Sequence, residues 1–306
     1  MPLYLKSDTS SALPGLTFYS DNLLGTWARP TGVYLPPSVD LDQGVVNVLL
    51  WLHGYYVSDI GDLFKSDRSK IREQVFCSNK SVVLVAPHLG NGSRDGSSTF
   101  TVGFMKGQWG ELYLNQVLGA LAPARDPQSG SGLKLGKLVI ACHSGGGSGM
   151  RNLVGALGRY GANLAECWGF DCLYGVKVKP DDASFWYDWA GAGNGRSLFV
   201  SFASSTVPQS VKLHLMVKGL ADRSGARRDP KGAQASGVTV KLGVQASKPV
   251  EALMGLDALL KAKPDGKFAE QAAGNLRKAI GDTSMALHYQ VARDGLLERL
   301  QASSFL

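Results

Sequence analysis

Cysteine is scarce in this chain. Its 306 residues hold four, Cys77, Cys142, Cys167 and Cys172, with no Cys-x-x-Cys pair and no dense spacing, which excludes a disulfide framework and a zinc knuckle. Buried free thiols in a reducing compartment are the expectation. Long apolar runs are missing too. No stretch approaches the roughly 18 apolar residues of a membrane-spanning helix, and the opening residues lack a basic start followed by an apolar core. The expectation is a cytoplasmic chain with no integral membrane segment and no conventional signal peptide. Clustered charge is the third absence. The net charge is +7, from 32 Lys and Arg against 25 Asp and Glu, but these residues are spread along the chain. The densest basic run, Arg223 to Lys231, sits in a Gly-containing loop without interleaved aromatics, so no nucleic-acid partner is expected.

What is present is a chain that is 44% hydrophobic and long enough to bury a full core, read as one catalytic domain over 1–306. Gly32 to Leu35 is β-rich, and three apolar runs follow: Val45 to Leu52, Ser81 to Ala86 and Lys137 to Ala141. Each run stops at punctuation, at His53-Gly54, at Pro87-His88 and at Cys142-His143-Ser144-Gly145-Gly146. Trp109 to Leu121 reads as a helix with Leu112, Val117, Leu118 and Leu121 on or beside one stripe. A helix from Gly149 to Tyr160 and strands at Cys167 to Phe170, Leu198 to Phe202 and Val238 to Val244 continue the alternation. Apolar strands alternating with helices predict an α/β fold, a mostly parallel central sheet with helices on both faces and its chemistry at the carboxyl ends of the strands.

Residues 206–219 carry two signals. Thr206 and Pro208 look like a helix start, whereas VKLHLMV alternates as a strand does; the helix is preferred. Pro249 to Lys261 and Lys267 to Ile280 read as helices, so that 246–285 could form a small helical cap. Phe185, Trp186, Tyr187 and Trp189 form an aromatic cluster that, with Trp109, could wall a substrate site.

Hydrolysis by a serine needs a hydroxyl lifted clear of the sheet beside backbone N–H groups that can hold a developing oxyanion. In KLVIACHSGGGSGM a strand ends, Ser144 occupies the turn, and a helix opens through glycines that tolerate strained dihedrals. No Gly-Lys-Ser/Thr follows, which argues against a phosphate cradle. The segment resembles the nucleophile elbow of the α/β-hydrolase superfamily, with Cys142 standing where the first glycine of Gly-x-Ser-x-Gly is expected. His53-Gly54-Tyr55 is similar to the oxyanion segment of serine esterases and lipases.

The resemblance implies Tyr55 and Gly145 N–H groups as the oxyanion hole, His53 as an orienting residue, and the order nucleophile, acid, base along the chain. Among five histidines, that order implies His288 as the base. For the acid, Asp171, directly after the strand CWGF, is preferred, and Asp222 is the alternative. The implied function is a serine hydrolase cleaving a carboxylic ester through an acyl-enzyme, with no metal or organic cofactor. An amidase, peptidase or acyltransferase using the same triad is an alternative, and a non-catalytic binding protein on the same scaffold is another.

Overall fold

The computed structural model describes residues 6–7, 13–20, 30–65, 69–90, 107, 109–124, 132–175, 179–192, 195–203, 206–219, 237–242 and 285–305. The strands are β1 (Lys6–Ser7), β2 (Leu16–Ser20), β3 (Thr31–Leu35), β4 (Val45–Leu52), β5 (Val83–Pro87), β6 (Lys134–His143), β7 (Leu164–Phe170), β8 (Ser197–Phe202) and β9 (Val238–Leu242). They form a sheet in the order β1-β2-β3-β5-β4-β6-β7-β8-β9. The pairs β1/β2, β2/β3 and β3/β5 run antiparallel, while β4/β5, β4/β6 and β8/β9 run parallel. The α/β reading of the sequence is the fold observed.

The helices are α1 (Ile60–Lys65), α2 (Ile71–Ser78), α3 (Trp109–Leu121), α4 (Gly146–Leu153), α5 (Asp182–Gly191), α6 (Val207–Val217) and α7 (Met285–Gln301). No described helix is long and apolar enough to cross a membrane. The chain divides into two compact units, one of Met1–Cys167 with Arg293–Leu306 and one of Trp168–Ala292.

In the first unit β4 lies between β5 and β6, so the chain leaves β4, builds β5 on one side and returns to the other for β6. Strand order reverses at β4, and such a switch point is where a crevice opens beyond the carboxyl ends of the strands. Val48 through Leu52 are all buried, as a strand covered on both faces requires; each such side chain contributes roughly 1.5–3 kcal/mol by leaving water. Register shifts between Val46 and Val48, where Asn47 bridges the irregularity: its amide donates to Ser81 O at 3.1 Å and its carbonyl accepts Lys137 N–H at 2.9 Å.

Several expectations are corrected in detail. The buried stripe of α3 runs through Tyr113, Leu114, Val117, Leu118 and Leu121, and Leu112 is 42% exposed. The helix expected to reach Tyr160 ends at Leu153, and Gly158–Asn163 is a 3-10 segment. Gly158 has φ +51 and packs where any side chain would overlap Glu111. Cys142, Cys167 and Cys172 are buried as expected, but Cys77 is exposed.

In the second unit residues 207–217 are helical. Pro208 pre-sets the first turn, Val211, Leu213, Leu215 and Met216 are buried, and Gly219 at φ +68 follows the helix end. Asp222 and the loop Arg223 to Lys231 lie outside the described residues. So does the expected cap 246–285, except Met285, which opens α7.

Candidate active site

The first unit carries the serine turn. β6 runs to His143, α4 begins at Gly146, and Ser144 takes the corner at φ +54. A non-glycine residue in this left-handed region stores roughly 1–3 kcal/mol of strain, which persists only where the surroundings enforce it. Here the surroundings are glycine contacts. A Cβ on Gly54 would lie 2.6 Å from Ser144 Cβ, and one on Gly146 would run into the Leu52 carbonyl oxygen. Ser144 O accepts Gly147 N–H at 3.1 Å, and Gly145 O accepts Ser148 N–H at 3.3 Å. The Gly145 and Gly146 amides therefore precede the first donating amides of the helix, where N–H groups lie at its positive end. Cys142, opposite Leu52 in the β4/β6 register, is completely buried, so its small side chain is accommodated where a glycine was expected.

The segment after β4 is held by two histidines. His53 Nδ1 donates to Gly54 O at 2.6 Å, and its Nε2 accepts Leu89 N–H at 2.7 Å. A carbonyl only accepts and an amide only donates, so these partners specify a neutral ring with the proton on Nδ1. His88 stacks on it at 5.3 Å and donates from Nε2 to Val57 O at 3.0 Å. The pair ties the turn at 53–57 to the end of β5. Tyr55 lies on that turn with its ring against Gly145, where an added Cβ would meet ring carbons at 3.3–3.4 Å.

The second unit carries a carboxylate and an imidazole. Asp171 follows β7 directly, also in the left-handed region at φ +46, with its N–H on Ser201 O at 2.7 Å. Its carboxylate is fully buried. A buried carboxylate costs several kcal/mol unless its oxygens are satisfied. Oδ2 accepts from His288 Nδ1 at 2.6 Å, and Oδ1 accepts Ala203 N–H at 3.0 Å and the Thr206 hydroxyl. His288 itself is in the first turn of α7, 8% exposed, with the Tyr289 ring 5.7 Å from its own.

The remaining histidines do other things. His143 is buried at the end of β6, and His214 is half-buried on α6, where desolvation first and the Lys218 charge second push its imidazole below the ordinary value. Among the described residues no group of three His, Cys, Asp or Glu side chains gathers to hold a metal ion.

The aromatic cluster of the second unit is α5. Trp186 and Trp189 are both buried and meet edge to face at 5.4 Å, with the Arg196 guanidinium over the Trp189 ring at 5.2 Å. Their spacing of three is that of one helix face, a signal the sequence reading passed over. In the first unit Trp109 is half-buried at the start of α3. Thr206 was also missed as a site residue. Nothing local marks a hydroxyl whose partner lies 35 residues away.

No family model and no curated protein sequence matches the chain. Among solved structures it is similar to an S-formylglutathione hydrolase from Agrobacterium tumefaciens, at 16% identity over 66% of this chain and 79% of that one, TM-score 0.40. It is similar also to the feruloyl esterase module from Clostridium thermocellum, at 15% identity, 66% and 72% coverage and TM-score 0.41. A thermostable carboxylesterase cloned from a metagenomic library gives 13% identity, 63% and 56% coverage and TM-score 0.34. In the chain itself, β4 lies between β5 and β6, antiparallel strands form the leading edge, and a strained serine turn follows β6. By that strand order and that turn, the chain has the α/β-hydrolase fold.

Proposed function

We propose that this protein is a serine hydrolase that cleaves a carboxylic ester through an acyl-enzyme. The observation that carries the reading is the buried Asp171–His288 hydrogen bond at 2.6 Å. An imidazole whose Nδ1 is committed to a carboxylate keeps the tautomer, and gains the stabilisation as imidazolium, that a general base for a hydroxyl needs. The strained Ser144 and its glycine-rich surroundings support the second half of the reading.

In the proposed cycle His288 takes the Ser144 proton through Nε2 as Oγ attacks the ester carbonyl. The Tyr55 and Gly145 N–H groups hold the tetrahedral oxyanion. The imidazolium returns the proton to the departing alkoxide, and a water activated by the same nitrogen then releases the acid. Asp171 stays ionised and orients the ring throughout. The substrate is a small-molecule or acyl ester. Trp109 is the aromatic residue offered for its binding, since Trp186 and Trp189 are enclosed in their own unit and support α5.

The test is covalent labelling by a fluorophosphonate together with hydrolysis of a chain-length series of p-nitrophenyl esters. A label found on Ser144, lost with Ser144→Ala together with ester turnover, supports the reading. Unlabelled wild-type protein that turns over no ester overturns it and leaves a binding protein on the hydrolase scaffold.

A further inference from the structure

We propose that Thr206 is the positioning residue of the Asp171–His288 pair: its hydroxyl, with the Ala203 N–H, clamps Asp171 Oδ1 so that Oδ2 is aimed at His288 Nδ1. This rests on the reading of His288 as the base of an ester hydrolase and names the group that keeps its carboxylate partner in place.

Thr206 occupies the N-cap position of α6, where a threonine hydroxyl ordinarily accepts an N–H from the first turn of the helix. It makes no such bond. With φ −109° and ψ 11° its backbone turns into the helix, Pro208 removes one of the amides that a cap would satisfy, and the hydroxyl goes to Asp171 Oδ1 instead. A carboxylate oxygen only accepts, so the hydroxyl is the donor. Thr206 is 1% exposed, so this bond is made without competition from bulk water.

The geometry gives the bond a purpose. A carboxyl group turns freely about its Cβ–Cγ bond because that torsion is broad. One acceptor bond to His288 leaves that rotation open; two donors on the other oxygen close it. One donor, Ala203, directly follows β8 and the other, Thr206, directly precedes α6, and Ser201 of β8 also receives the Asp171 N–H at 2.7 Å. Ser201, Ala203 and Thr206 thus hold Asp171 by its backbone on one side and by Oδ1 on the other. A helix start that needed only a cap would keep its hydroxyl for its own amides.

The experiment uses the full chain with Thr206→Val, which keeps the shape and removes the donor, and Thr206→Ser, which keeps the donor. Thr206→Val is expected to lose about tenfold to a hundredfold in kcat with KM within about twofold, the loss of one hydrogen bond to a charged group. Thr206→Ser retains kcat within about threefold. In proton NMR the deshielded His288 Nδ1 proton shifts or broadens in Thr206→Val and not in Thr206→Ser. Wild-type kcat with an unmoved Nδ1 signal in Thr206→Val overturns the proposal, and so do equal losses in the two variants, which mark a helix-start role alone. If the wild type hydrolyses no ester, the ester reading fails by itself. The NMR comparison still decides for or against Thr206.

Discussion

Gly54 and Ser144 approach so closely that a Cβ on the glycine would stand 2.6 Å from the serine Cβ and 3.1 Å from its Oγ. Neither residue can withdraw, because Ser144 is held at φ +54 between β6 and α4 and the 53–57 turn is tied down by His53 and His88. Gly54→Ala must therefore push the serine or the turn. The variant is expected to lose roughly 1–3 kcal/mol of stability by overpacking. Ester hydrolysis falls by about a hundredfold, the scale of a 1 Å misplacement of a reacting group. Thermal unfolding and p-nitrophenyl ester kinetics measure the two effects. Wild-type kinetics in the Gly54→Ala variant would mean that the approach does not set the position of Ser144.

Much of this arrangement can be read from residue order because it is written in local contrasts. Val45 to Leu52 is apolar throughout and then stops at His53-Gly54, and Lys137 to Ala141 stops at a glycine-rich turn; each stop is the carboxyl end of a buried strand. The illegible parts have non-local causes. The short β2 strand alternates weakly and is defined by its partner β3. The α3 stripe holds at Val117, Leu118 and Leu121 and fails at Leu112, and Tyr113 is buried in a hydroxyl contact with Thr31 at 3.1 Å, 82 residues away. Helix α5 begins where Asp181 accepts Ser184 N–H and Lys212 Nζ, and the aromatics beyond it hide the ordinary signs of a helix start. The left-handed backbone of Asp171 and the diverted hydroxyl of Thr206 leave no trace in composition or period.

Asp171→Asn separates the two candidate acids. An asparagine offers one acceptor and an amide that donates, so it cannot receive His288 Nδ1–H, Ala203 N–H and the Thr206 hydroxyl as the carboxylate does. It also cannot stabilise the imidazolium. The expected loss is about 10³–10⁴-fold in kcat, with roughly 1–3 kcal/mol of stability lost to the unmatched buried groups. Asp222→Asn retains activity. Steady-state kinetics of the two variants side by side decide the assignment, and the reverse result transfers the acid role to Asp222.

His214 gives a pH dependence whose sign can be worked out. Desolvation, then the nearby Lys218 charge, hold its folded value below the ordinary 6.5. The unfolded chain therefore binds the proton more readily. The stability contributed by His214 is present above about pH 6.5 and is lost as pH falls through the folded value. The carboxyl of Asp181 lies apart from this window. Burial raises it, but the Lys212 ammonium and the Ser184 bonds outweigh burial and hold it below the usual carboxylate value, so its contribution is lost at more acid pH. Thermal midpoints taken from about pH 7.5 down to about pH 5 should fall more steeply for the wild type than for His214→Gln. Parallel curves would remove His214 from the account.

The strain at Ser144 can be measured apart from chemistry. A left-handed backbone costs a residue with a Cβ roughly 1–2 kcal/mol, and glycine escapes that cost while giving back about 0.5–1 kcal/mol in unfolded-state entropy. Ser144→Gly and Ser144→Ala both remove the hydroxyl, so both are expected to be inactive and unlabelled by a fluorophosphonate. They differ in the backbone. Ser144→Gly should be the more stable of the two by about 0.5–1 kcal/mol in chemical denaturation, since alanine keeps the Cβ that the φ of +54 penalises. If alanine is as stable as glycine, the corner is relaxed rather than enforced. The glycines packed around it at positions 54 and 146 would then serve close approach of the chain segments and not the exposure of the serine.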